Sequence, residues 1–126
     1  MKFMFTIYHD QSVMDAMPEK EMQALVDSAI EYAEELRRSG HYIASDALQR
    51  TETARTIRVR AGKVSTSVGP FAETKEQLGG FFVIEAKDMD EACAVAARFT
   101  PARVAVIEVR PVQELKHSRD RRGLPS

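Results

Sequence analysis

Three features of this sequence predict an α+β domain. Residues 18–40 and 88–99 repeat apolar side chains at steps of three and four, the period of a helix with one buried face. Residues 2–8, 78–86 and 103–109 are short apolar runs of strand length that lie outside those two stretches. The chain has 126 residues, 44% hydrophobic and 29% charged, which fits one domain with a core of its own.

The first strand is the apolar, β-favouring run at residues 2–8. Pro18 opens the first long helix, with Met17 at the N-cap, where Ser or Asp is the commoner choice. Its apolar face is Met22, Leu25, Val26, Ala29, Ile30, Ala33 and Leu36. Glu19 and Glu21 suit the positive end of the helix, Arg37 and Arg38 the negative end, and Gly40 closes it. Residues 41–48 read as a short extended segment. Residues 55–60 and 63–67 read as a hairpin around Ala61-Gly62, with Ile57 and Val59 alternating with Thr56, Arg58 and Arg60. A polar loop reaches Gln77, and the strand at residues 78–86 follows. Asp88 and Glu91 form a capping-box-like pair at the start of the second helix, whose stripe is Ala92, Val95, Ala96 and Phe99. Cys93, among small apolar neighbours, reads as buried and inert. Pro101 ends the helix, and residues 103–109 are the last strand. The order is that of the ferredoxin-like βαββαβ plan with an extra middle strand. The domain covers residues 1–112, and residues 113–126 form a charged, mobile tail.

Composition removes several function classes. A net charge of −1 supplies no field that would draw the chain to nucleic acid or anionic lipid. The basic tail from Lys116 to Arg122 reads as solvated. One cysteine permits no internal disulfide, and the apolar N-terminal run is too short for a signal peptide or membrane span. The expectation is a cytoplasmic protein without a membrane partner. No spacing of His, Cys, Asp or Glu matches a metal site, and no cofactor motif is present.

The strands also predict a partner. Two helices cover one face of such a sheet, so the other face should be polar if it meets water. Instead Phe81 and Val83 oppose Phe82 and Ile84, and Met4, Thr6 and Tyr8 oppose Phe3, Phe5 and Ile7. An apolar second face predicts a homodimer packed sheet against sheet, a dimeric α+β barrel.

The stretch from Val68 to Gly80, VGPFAETKEQLGG, resembles the DGPF-type members of the YCII-related family. Gly69, Pro70 and Phe71 match the motif and Ala72 to Gly80 continue it. IYHD at residues 7–10, TIRVR at 56–60 and EVRP at 108–111 extend the likeness. The resemblance implies a ferredoxin-like fold and a dimeric barrel. It also points to a link with transcription regulation, since related genes often sit beside those of sigma factors, which makes a sigma factor a candidate partner. Val68 replaces the motif Asp, and residues 17–40 lack the helix-borne His of other family members. Catalysis by a His–Asp pair of that kind therefore has no counterpart here.

The candidate site residues lie in two places. In the loop, Glu73 and Lys75 have the chemistry to bind a polar ligand or move a proton, with Phe71 and Thr74 beside them; the bland alternative is a solvated loop. At the end of the first strand, alternation sends Tyr8 and Asp10 to one face and His9 to the helix-covered face. His9 has the bland alternative of a hydrogen-bonded strand-end histidine. Gly79-Gly80 precedes a strand, so it permits a bulge or close backbone approach and forms no phosphate loop. Three functional readings follow. The first is a small-molecule-binding or regulatory protein with Tyr8, Asp10, Glu73 and Lys75 facing a cavity. The second is a cofactor-free acid/base enzyme with Asp10 or Glu73 as base and His9 or Tyr8 as acid. The third is a module that contacts a transcription factor.

Overall fold

The computed structural model describes residues 1–121. The end of the charged tail, residues 122–126, lies outside the described residues. Six strands and three α-helices run in the order β1 (Lys2–His9), α1 (Gln11–Asp15), α2 (Glu19–Ser39), β2 (Tyr42–Ala47), β3 (Arg55–Arg60), β4 (Lys63–Val68), β5 (Gln77–Glu85), α3 (Met89–Ala97) and β6 (Val106–Pro111) among the described residues. Four strands form an antiparallel sheet in the order β2-β5-β1-β6, the ferredoxin-like arrangement. None of the described helices is long and apolar enough to cross a membrane.

The hairpin expected around Ala61-Gly62 is present, and it stands apart from the larger sheet. Strands β3 and β4 pair only with each other and do not join the larger sheet. Ala61 and Gly62 both have positive φ, 49° and 75°, the geometry that reverses two strands in the fewest residues. Both faces of this arm are open, and Ile57, Val59 and Val64 are exposed. The last strand also starts later than its sequence indicates. Pro101 sits in a 3-10 turn, Thr100–Val104, which uses up the first residues of the apolar run before β6 begins at Val106.

The core lies between the sheet and α2 and α3. Alternation along β1 works as expected: Phe3, Phe5 and Ile7 are buried, while Met4, Thr6 and Tyr8 are partly exposed on the other face. On β5, Phe82 and Ile84 are buried and Phe81 and Val83 are partly exposed. Helix α2 ends at Gly40 with φ 81°, as the sequence predicts. Its N-cap is Pro18, not Met17, and no side chain caps it, so Glu19 and Glu21 in the first turn carry the electrostatic complement. Tyr32 lies off the predicted stripe and is nevertheless buried. It meets Phe82 and Phe99 edge-on, and its hydroxyl donates to the Val95 carbonyl of α3 at 2.6 Å. Burial raises the Tyr32 pKa well above the ordinary phenol value.

Helix α3 buries Ala92, Val95 and Ala96, with Phe99 just beyond it. Asp88 accepts from the Glu91 N–H at 2.9 Å, while the Glu91 carboxylate reaches back to the Lys87 N–H at 3.3 Å. Cys93 is exposed, contrary to expectation. It follows Ala92 directly, so one step of about 100° turns it away from the buried stripe.

Candidate functional site

The end of β1 separates two surface features. On the helix-covered side, α1 and α2 overhang the sheet and leave a half-open cavity of about 430 Å³. Its wall is almost wholly apolar. Met14 comes from α1, Met22, Leu25, Val26 and Ile30 from α2, and Ile7 and Phe82 from the sheet. Val26 and Ile30 are 43% and 54% exposed because they line this opening and do not meet the core. At the rim the Arg37 guanidinium lies over the Tyr42 ring, 4.2 Å from its centre.

His9 projects into this chamber. A bulge in β5 makes its place. Ile7 pairs with Gly80 and Tyr8 with Leu78, so Gly79 is the extra residue. A Cβ on Gly79 would stand only 2.1 Å from His9 Nε2, so the imidazole occupies the space that a side chain would fill. Gly80 is similarly confined, with the Asp46 carbonyl oxygen 3.0 Å from where its Cβ would be. The Gly79 carbonyl accepts from the Leu48 N–H at 2.8 Å, which anchors the bulge. His9 Nδ1 is buried and has no hydrogen-bond partner.

The second feature is a polar depression of about 340 Å³, which brings together Asp10, Glu73, Thr74 and Lys75 with Gln11, Thr51, Pro70 and Gln77. Asp10 caps α1: its Oδ1 accepts from the Ser12 hydroxyl at 2.7 Å and the Ser12 N–H at 2.9 Å. The Ser12 hydroxyl, followed by its N–H and the nearby Lys75 charge, holds the Asp10 carboxyl below its ordinary value against a smaller opposing effect of desolvation. Thr74 donates to the Glu76 carbonyl at 2.7 Å, and the Gln77 amide donates to the Ala72 and Thr74 carbonyls at 2.8 and 3.1 Å, which folds the loop onto itself. Beside the depression, Arg50 bridges Asp15 of α1 and Glu52, and the Gln11 amide donates to Glu52 at 3.2 Å. These contacts tie α1 to the turn at Thr51–Thr53.

The sequence-predicted residues thus divide. Asp10, Glu73, Thr74 and Lys75 share the polar depression. His9 faces the apolar chamber, apart from Asp10, as strand alternation requires. Tyr8 lies on the open face of the sheet, and Phe71 is 81% exposed and lines neither feature. The sequence reading missed the chamber wall. Its one available signal was the width of the α2 stripe, since Met22, Val26 and Ile30 extend beyond what the core covers.

Comparison with known proteins agrees with the motif. The YCII-related domain matches residues 1–116. An uncharacterized protein of Rhizobium meliloti (strain 1021) is 32% identical over 114 residues, spanning 89% of this chain and 92% of its own. The domain match covers nearly all of the described residues, and the chain belongs to the YCII-related family.

Proposed function

We propose that this protein binds a small, mainly apolar molecule in the chamber beneath α2 and acts as a binding or regulatory protein. The observation that supports this is the chamber itself: about 430 Å³ of half-open space with an apolar wall and few polar groups. Volumes of about 300–1,000 Å³ with such walls suit small organic ligands. The polar depression favours binding over acid/base catalysis, because the Asp10 carboxylate already serves as a helix cap and its lowered pKa makes it a weaker base. The neutral probe N-phenyl-1-naphthylamine should show saturable fluorescence enhancement at one site per chain. Val26→Trp, which places bulk in the chamber from an already exposed position, should abolish the enhancement while the circular dichroism stays unchanged. Equal enhancement by the variant would sink the proposal.

We also propose that two copies pair through the open face of the sheet, where Met4, Tyr8, Phe81 and Val83 lie partly exposed. Light scattering at micromolar concentration should give twice the chain mass, and Phe81→Asp should return it to one chain. A wild-type monomer refutes the pairing.

A further inference from the structure

We propose that the β3-β4 arm crosses to a second copy of the chain, where its aliphatic face packs and its cations meet the acidic body of the partner. This inference rests on the pairing of two copies through the open face of the sheet.

The register gives the arm two unlike faces, because cross-strand partners share a face and successive residues alternate. Ile57 pairs with Thr66, Val59 with Val64 and Arg55 with Val68, so one face is mostly aliphatic. Thr56 pairs with Ser67, Arg58 with Ser65 and Arg60 with Lys63, so the other is basic and rich in hydroxyls. Ile57, Val59, Val64 and Val68 are all more than half exposed, and the arm joins no other strand among the described residues. A lone two-stranded hairpin is marginal in water, and an uncovered aliphatic face adds to that burden.

Charge, position and area make the cover a second copy. The arm, residues 55–68, holds four of the 18 basic residues and none of the 19 acidic ones, which leaves 14 against 19 on the rest of the chain. Arg58, Arg60 and Lys63 make no ion pair among the described residues. An acidic body repels a nucleic acid or an anionic membrane but attracts the basic arm of its own copy. The arm is rooted where β1 ends and β5 begins: the Gly69 N–H donates to the Ala54 carbonyl at 2.8 Å, and Pro70 lines the same depression as Asp10 and Gln77. At that end of the open face Tyr8 pairs with Leu78 and Val106, both exposed. An arm of this length reaches about 20 Å, twice the ~10 Å between packed sheets. Four strands of about six residues offer about 400 Å² in projection, against about 800 Å² per partner in a standard interface. The arm's own face and the patch covered by the partner's arm, about 200 Å² each, make up the difference.

The test measures the dimer dissociation constant by analytical ultracentrifugation. Ile57→Asn combined with Val59→Asn should raise it about tenfold or more, since both amides would be buried without partners. Ser65→Asn combined with Ser67→Asn, on the opposite face of the same arm, should leave it within about twofold. Trypsin gives a second readout on an unaltered arm, whose four cations are its cleavage sites. The arm of the wild-type dimer should be cut about tenfold more slowly than that of the Phe81→Asp monomer. A wild-type monomer overturns the pairing and this inference together. A dimer unaffected by the Ile57/Val59 pair of changes, or an arm cut equally fast in both proteins, overturns the role of the arm and leaves the sheet pairing intact. Binding of a fluorescein-labelled DNA duplex that is lost in Arg58→Gln/Arg60→Gln, with the dimer unaffected by either arm variant, overturns it in favour of nucleic acid.

Discussion

Phe5→Ala is expected to lower folding stability by about 3–5 kcal/mol, the usual loss for a large aromatic removed from a well-packed core. Phe5 is fully buried on β1, a strand flanked on both sides by β5 and β6. Its ring stacks on Phe82 at 4.9 Å and lies within 6.5 Å of Tyr32 and 6.4 Å of Phe99. Those rings come from β5, α2 and the end of α3, so the cavity left by the substitution adjoins every layer of the core. Backbone pairing on both sides of β1 keeps the sheet from collapsing into the space. A domain of this size has a total stability of about 5–15 kcal/mol, so the variant should unfold at a much lower urea concentration or be partly unfolded in buffer. Phe71→Ala is the matched control: at 81% exposure it should shift stability by no more than about 0.5 kcal/mol. Both should be measured at one protein concentration, because self-association would add a concentration-dependent contribution. A midpoint for Phe5→Ala close to that of the control would show that the aromatic cluster does not hold the layers together.

The parts of this fold that were legible in the sequence are those set by local periodicity. Alternation along β1 put Phe3, Phe5 and Ile7 on the helix-covered face, and the stripe of α3 identified Ala92, Val95, Ala96 and Phe99. Gly40 and Ala61-Gly62 were legible because a left-handed backbone leaves a residue-type signature. The misreadings arose where tertiary context decides. Cys93 looked buried by composition, but its angle around the helix turns it outward. Tyr32 is not part of the apolar stripe, yet it reaches between the helices to a carbonyl of α3. The hairpin was legible as a hairpin, but its separation from the main sheet was not, because β-patterning reveals strands and not their partners. The site was half legible. Alternation placed His9 and Asp10 on opposite sides, and the loop residues Glu73, Thr74 and Lys75 do gather near Asp10. The chamber was hidden because it is the space beneath an overhang. Its wall depends on where α1, a helix of only five residues with no readable periodicity, places Met14.

Gly79→Ala should lower stability by about 1–3 kcal/mol, the range for a methyl forced into filled space. The demand on Gly79 is for room and not for an unusual backbone, because its φ lies outside the left-handed range that favours glycine. The added Cβ would stand 2.1 Å from His9 Nε2, 2.7 Å from Cδ2 and 2.9 Å from Cε1, so the whole imidazole must leave its niche. The two residues must therefore be energetically coupled. His9→Ala empties the niche, and in that background Gly79→Ala should be close to neutral, leaving a coupling energy of about 1–2 kcal/mol in the double-mutant cycle. Gly80→Ala supplies the contrast. Its Cβ would meet the Asp46 carbonyl oxygen at 3.0 Å, a backbone contact that removal of the imidazole does nothing to relieve. Urea titrations of the four proteins in the cycle, with Gly80→Ala measured in both His9 backgrounds, decide the matter. If Gly79→Ala costs as much without the His9 ring as with it, the glycine serves the bulge alone and has no part in placing the imidazole.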